Sequence, residues 1–418
     1  MRADLELGCV RCGARYPLSF HQRRCPACLE AGAHASLLLR YAAPPGGTLP
    51  PRAAPSGDGL WRWDAFLPLR REAAVTLAEG GTPLLPAEAL GLGPLLVKDE
   101  TRNPTGSFKD RLASVAVSAA RALGHRVIAA ASSGNAGAAA AAYAARAGLP
   151  CVVFTMADAA GPMLAQIVAY GAHLVRLAHA PDRFRLLSAG VTRHGWFATS
   201  PAEAPITGSS PFGVEGCKTL AYEIAEAMEW RVPDWVLVPV CYGDALTGLA
   251  RGFAELRAIG WTDRVPRLVA AETSGSLVAA LAEGAAMPPA RPRNAPGIAP
   301  SIGAAQGTVQ ALQALRETDG LAVAIDDEAL GEWHLRAARR LGLYLEPASV
   351  APLAALARLR AEGIIAPDAT VVALATATGL KDTARTMRLA PEASGPVLDM
   401  ADPDAALAAV ARRLEAAA

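Results

Sequence analysis

The 418-residue chain carries 40 basic and 39 acidic side chains, a formal net charge of +1. That balance gives no long-range field to steer DNA, RNA or an anionic membrane. Charged residues make up 19% and apolar residues 52%, which excludes a disordered acidic or basic tail protein.

Met1–Val10 carries Asp4 and Glu6 and no apolar core of signal-peptide length, so a soluble, cytoplasmic protein is expected. Mean hydropathy is +0.23. The charge-free stretches Val127–Ala145 and Asn294–Leu315 are nevertheless broken by polar or turn-forming residues, so neither is expected to span a membrane. Cys9-x2-Cys12 and Cys25-x2-Cys28 have the spacing of a zinc ribbon, each pair offering two thiolates to one tetrahedral Zn2+. Without a secretory signal, disulfides are the weaker alternative. Such a small module has almost no core, so the metal would supply its folding energy. Arg11, Arg15, Arg23 and Arg24 have no aromatic stacking ladder beside them, and no nucleic-acid partner is expected. A Pro/Gly-rich stretch from Pro44 through Gly59 reads as a linker.

From about Gly81 the chain alternates β-rich runs with Ala-rich helical patterns, the signature of an α/β class with parallel sheet. Strands are predicted at Leu95–Asp99, Arg126–Ala131, Cys151–Thr155, His173–Leu177, Trp235–Val240, Arg267–Glu272 and Thr370–Thr376. Helices are predicted at Phe108–Leu123, Ala136–Ala147, Pro162–Tyr170 and Ala245–Ile259, with Ser107 capping the first. Lys109 falls in that helix's first turn. The positive end of the helix dipole disfavours a charged ammonium there, as a Schiff-base lysine needs.

Asn103-Pro-Thr-Gly-Ser-Phe-Lys-Asp-Arg111 resembles the cofactor-lysine motif of threonine synthases. These are fold type II pyridoxal-phosphate enzymes, relatives of serine/threonine dehydratases and cysteate synthase. Gly81-Thr-Pro-Leu84, Ser132-Ser-Gly-Asn-Ala-Gly137, Glu215-Gly-Cys-Lys-Thr219, Glu346-Pro-Ala-Ser349 and Thr376-Ala-Thr-Gly-Leu-Lys-Asp382 are similar to further family blocks in the same order. The ribbon and Trp61-Arg-Trp63 fit the zinc-ribbon-bearing branch. The resemblance covers most of residues 1–390. It implies a tryptophan synthase β-like fold of two α/β lobes plus the small N-terminal ribbon.

The resemblance also assigns roles. Lys109 would bond covalently to pyridoxal 5'-phosphate and then move protons as general acid/base. Asn135 would contact the cofactor's 3'-oxygen, and Thr376 would donate to its ring nitrogen. The substrate carboxylate would lie on Ser132, Ser133, Gly134, Asn135 and Ala136, at a helix N-terminus suited to anions. Cys241, Tyr242, Gly243, Asp244 and Ala245 form a strand–turn–helix cradle for the cofactor phosphate. Asp244 is out of place there, because a carboxylate repels a phosphate, so it is expected to point away and cap the helix.

Two family arginines that hold a substrate phosphate are replaced, at Gly213 and at Gly303. Charged hydrogen bonds to an anion contribute roughly 1.5–3 kcal/mol each. Lys218, Ser209 and Ser210 remain as candidate anion contacts. The family default is threonine formation from O-phosphohomoserine. The alternative is a dehydratase or ammonia-lyase acting on an unphosphorylated β-substituted amino acid such as serine or threonine. A third reading, a non-catalytic protein working through its ribbon, is opposed by Lys109 and Asn135.

The expected organisation is a ribbon at 1–40, a linker at 41–60, a larger cofactor-binding domain from 61–120 and 209–395, a smaller domain at 121–208 and a C-terminal helix in 396–418. The partner is a small amino-acid substrate. Family relatives are commonly homodimers, but no feature of this sequence settles assembly.

Overall fold

The computed structural model describes residues 1–18, 24–42, 59–157, 159, 161–292, 297–390 and 402–417. Most of the 41–60 linker, Arg23 and part of Asn294–Leu315 lie outside the described residues. Met1–Asp382 forms one compact unit, and a second begins at Thr383.

In the first unit, strands β1 (Leu5–Cys9), β2 (Arg15–Pro17) and β3 (Leu37–Tyr41) form an antiparallel sheet in the order β2-β1-β3, with the short helix α1 (Pro26–Glu30) between β2 and β3. Next come β4 (Leu84–Pro86), β5 (Leu95–Asp99), α2 (Lys109–Ala122), β6 (Ile128–Ala131), α3 (Asn135–Arg146), β7 (Cys151–Met156), α4 (Pro162–Ala169), β8 (His173–Leu177), α5 (Ala180–His194) and β9 (Phe197–Ala198). The chain continues through α6 (Pro211–Ala227), β10 (Trp235–Pro239), α7 (Asp244–Ala258), β11 (Arg267–Glu272), α8 (Ser276–Ala282), α9 (Val309–Glu317), β12 (Leu321–Ala324), α10 (Asp327–Leu341), α11 (Pro347–Ala361) and β13 (Val371–Ala375). The second unit contains α12 (Thr383–Leu389) and α13 (Pro403–Ala417).

Two larger sheets follow from this alternation. One is a six-stranded sheet in the order β12-β11-β10-β13-β5-β4, parallel except for the edge strand β4. The other is a four-stranded parallel sheet in the order β8-β7-β6-β9. Every residue of β6, β10 and β13 is buried, as expected of strands covered by helices on both faces. The strand and helix predictions match these elements to within a few residues.

Close helix packing explains one motif. In α6, Pro211 through Ala225 are all buried. A Cβ at Gly216 would lie 2.1 Å from the Arg111 carbonyl oxygen of α2, and one at Gly248 of α7 would lie 2.4 Å from Cys217 Cβ. Glycine lets these three helices approach backbone to backbone. The charge-free stretch Val127–Ala145 becomes β6, a loop and α3, whose residues Ala138–Ala144 are buried. Among the described residues no helix is long and apolar enough to cross a membrane.

The ribbon is not a free-standing module. Leu7, Leu37 and Leu39 share one apolar core with Ala113, Val115 and Ala116 of α2. Its edge also holds the segment before α6: Ser36 Oγ donates to the Thr207 carbonyl, and Arg24 pairs with Glu203 at 2.6 Å.

Candidate active site

The start of α2 is held from below by a buried ion network. Arg111 is fully buried and pairs with Glu100 and Glu223, each at 2.7 Å, and Lys98 pairs with Glu223 at 2.7 Å. Glu100 also accepts from Thr82 of the Gly81–Leu84 motif at 2.5 Å. Glu223 is buried, which alone would raise its pKa, but Arg111 and Lys98 outweigh burial and hold it far below the usual carboxylate range. Asp110 accepts from the Thr105 N–H and hydroxyl, both at 2.6 Å, bracing the turn that precedes α2. Ser107 does not cap the helix as expected. The residue preceding α2 is Phe108, and the Ser107 hydroxyl is buried without a partner.

Lys109 is thus fixed as the first residue of α2, its side chain 19% exposed. Its Nζ lies 4.7 Å from the Phe108 ring centre and 3.6 Å from Asp244 Oδ2. The Phe108 N–H donates to the Thr376 carbonyl at 2.9 Å, which ties the head of α2 to the end of β13. Thr376 Oγ1 shares a 2.8 Å hydrogen bond with Ser349 Oγ, which also accepts from the Ala377 N–H. The Glu346–Ser349 motif therefore positions Thr376.

The Ser132–Gly137 loop joins β6 to α3. Ser132 Oγ accepts from the Gly134 N–H at 3.2 Å. Ser133 Oγ lies 3.0 Å from Thr155 Oγ1 and accepts from Arg183 Nη1 at 3.4 Å. Asn135 and Ala136 open α3, where first-turn N–H groups lack helical partners. The Asn135 amide donates to Glu346 Oε2 at 3.1 Å, and its oxygen accepts from Lys381 Nζ at 2.7 Å. Burial pushes the Glu346 carboxyl up, with the Asn135 bond opposing. Burial pushes Lys381 down to about 8, opposed by Glu346 and Asp110.

Cys241–Ala245 links β10 to α7. Gly243 has φ +79°, and a Cβ there would lie 2.4 Å from Ala311 Cβ. The Tyr242 carbonyl accepts from Thr308 Oγ1 at 2.8 Å and Gln310 Nε2 at 3.0 Å. Burial pushes the Cys241 thiol up to about 11, with Lys109 opposing. The expectation that Asp244 points away as a helix cap is corrected. Its carboxylate makes no cap, and it turns to Lys109, the Ser209 N–H (3.1 Å), Ser209 Oγ (2.6 Å) and Gln310 Nε2 (2.9 Å).

Lys218 requires a second correction. It is fully buried, with Nζ bound to Glu215 at 2.6 Å, Glu255 at 2.8 Å and the Phe66 carbonyl at 3.0 Å. Its donors are consumed by a structural cluster, and it is no substrate contact. Glu215 in turn accepts from Tyr41 of the ribbon arm and from Arg251 at 2.9 Å. At Gly213 a Cβ would lie 2.6 Å from Leu112 Cγ, so an arginine there requires a local shift. Sequence reasoning missed the Asp244–Lys109 contact, Arg183 beside Ser133, and the pairing of Asn135 with Glu346 and Lys381. Glu346 and Lys381 stood inside recognised motifs, but their pairing is made in space.

The residues present suit two groups. The four ribbon sulfurs lie within 4.8 Å of one another, with Cys9–Cys28 and Cys12–Cys25 both at 3.6 Å. A tetrahedral ion with Zn–S bonds of about 2.3 Å needs sulfurs about 3.8 Å apart. The N–H groups of Arg11, Cys12 and Cys28 donate to these sulfurs, as knuckle turns should. For a pyridoxal cofactor, Lys109 stands between the open start of α7 and the end of β13. The unpartnered Ser107 hydroxyl lies two residues before it in the chain, and the unpartnered Ser210 hydroxyl follows Ser209. The donor set fits; Asp244 is the one dissenting group.

A family model described as "Pyridoxal-phosphate dependent enzyme" matches residues 75–377. The chain belongs to this family of fold type II enzymes, in its threonine synthase branch. It is 33% identical over 395 residues to a threonine synthase of Methanocaldococcus jannaschii, covering 92% of this chain and 95% of the relative. It is 36% identical over 332 residues to that of Methanosarcina acetivorans, covering 77% and 80%. Solved structures of similar fold include maize serine racemase (TM-score 0.62, 20% identity, covering 75% of this chain and 92% of that one). A fungal L-serine ammonia-lyase from Rhizomucor miehei is also similar (TM-score 0.62, 20% identity, covering 74% and 98%). Family membership sets aside the reading of a non-catalytic ribbon protein.

Proposed function

We propose that this enzyme acts on a small L-amino acid by elimination with replacement, forming threonine from O-phosphohomoserine. What carries the reading is the match to threonine synthase over 92% of the chain, joined to the geometry around Lys109. The bound cofactor supplies an electron sink for the substrate's α-carbon. Lys109 would carry it and, once free, move the α-proton as general acid/base. Thr376, oriented by Ser349, would hold the ring nitrogen. Asn135, oriented by Glu346 and Lys381, would hold the ring oxygen. The backbone of Cys241–Ala245 would hold the phosphate, and that of Ser132–Ala136 the substrate carboxylate. Zn2+ would be structural, on Cys9, Cys12, Cys25 and Cys28. In this reading, 61–120 and 209–382 form the larger lobe and 121–208 the smaller; the rest of the expected 209–395 falls in the second unit from Thr383 or, from 391, outside the described residues.

A second reading has its own support. Gly213 abuts Leu112, Lys218 is consumed by Glu215 and Glu255, and Asp244 brings negative charge to Ser209. These observations favour elimination from an unphosphorylated substrate such as serine or threonine. The deciding assay supplies O-phosphohomoserine, serine and threonine to cofactor-loaded enzyme. Phosphate and threonine from the first substrate support the leading reading. A 2-oxoacid from the others, with no phosphate release, replaces it with the second.

A further inference from the structure

We propose that Asp244 is a resident anion in the cofactor-phosphate cradle, holding donors that a bound phosphate needs and so weakening phosphate binding there. This rests on the reading that Lys109 carries pyridoxal phosphate with Cys241–Ala245 around its phosphate. An anion site is recognised by donors converging on one point. Here the Ser209 N–H at 3.1 Å, the Ser209 hydroxyl at 2.6 Å, the Gln310 amide at 2.9 Å and the Lys109 ammonium at 3.6 Å all converge on one buried carboxylate. That carboxylate belongs to the first residue of α7, where the helix dipole favours negative charge. It already holds donors that an incoming phosphate would use. The Ser210 hydroxyl, next in the chain to Ser209, and the Ser107 hydroxyl, two residues before Lys109, are fully buried and unpartnered.

A carboxylate in contact with a bound phosphate opposes it, because like charges repel strongly in a buried setting. The Ser209 and Gln310 donors already serve Asp244 and would have to be shared with the phosphate.

Pyridoxine 5'-phosphate lacks the aldehyde and cannot bond to Lys109, so it reports the phosphate alone, with pyridoxine as its phosphate-free control. Calorimetric titration of the full chain compares wild type with Asp244→Asn, and with Asp244→Ser should the first variant misfold. The variant is expected to bind the phosphate ester about tenfold or more tightly, with pyridoxine binding unchanged. Equal ester affinity in the two proteins, or an equal gain for pyridoxine, overturns the proposal while leaving the cofactor reading intact. Failure of either protein to bind the ester or pyridoxal phosphate itself overturns both.

Discussion

Lys109 and its two successors divide three tasks along one turn of helix. Lys109→Ala is expected to abolish the visible absorbance that protein plus pyridoxal phosphate develops; a persisting band assigns the cofactor to another lysine. Asp110 braces the preceding turn, and burial raises its carboxyl from the ordinary 3.8 to about 7, with the Thr105 bonds opposing. A carboxyl whose folded pKa lies above its unfolded one stabilises fully below about pH 3.8 and loses that contribution as pH rises through 7. Denaturant unfolding should therefore show stability falling across this window in the wild type, and a flatter profile in Asp110→Asn. An unchanged slope in the variant discards the assignment. Arg111→Met leaves Glu100 and Glu223 buried without their shared cation, an expected loss of about 3–5 kcal/mol by urea titration. The motif Ser107–Arg111 was legible in the sequence, and so was the place of Lys109 in a first turn. The orientation of Asp244 was not, since it depends on Ser209 and Gln310, which come from other parts of the chain.

Elements with one polar face were the easiest to read, and α2 kept its predicted span almost unchanged. Helix α11 was not predicted, for a physical reason: Pro347 through Leu356 are all buried, no apolar stripe stands out, and Pro352 lies inside the helix. Neither α6 nor α9 was marked, although α6 is the most enclosed helix of the catalytic unit. Its Gly216 looked like part of a chemical motif but serves packing. Gly216→Ala forces a methyl group onto the Arg111 carbonyl, which is backbone and cannot swing aside. A loss of about 1–3 kcal/mol in thermal or denaturant unfolding is expected. Wild-type stability in that variant removes the packing explanation. The same logic corrects Lys218, since sequence gives a charge its position but not its partners.

Across the whole molecule, the ribbon was recognised from cysteine spacing, while its attachment was not. Its leucines sit in the core of α2, Tyr41 donates to Glu215, and Arg251 donates to the Leu39 carbonyl at 2.7 Å. If the four ribbon sulfurs hold Zn2+, a chelator is therefore expected to lower the temperature of a single cooperative calorimetric transition. A separate early transition, with the main one unmoved, contradicts this coupling. The buried cluster of Glu215, Lys218, Arg251 and Glu255 has a further consequence for engineering. Deleting the first forty or so residues removes the phenol that shares Glu215 and uncovers leucine-lined core. A shortened variant would have to rewrite α6 and α7 together, so the ribbon and those helices are expected to change as one unit rather than be exchanged like a detachable tag.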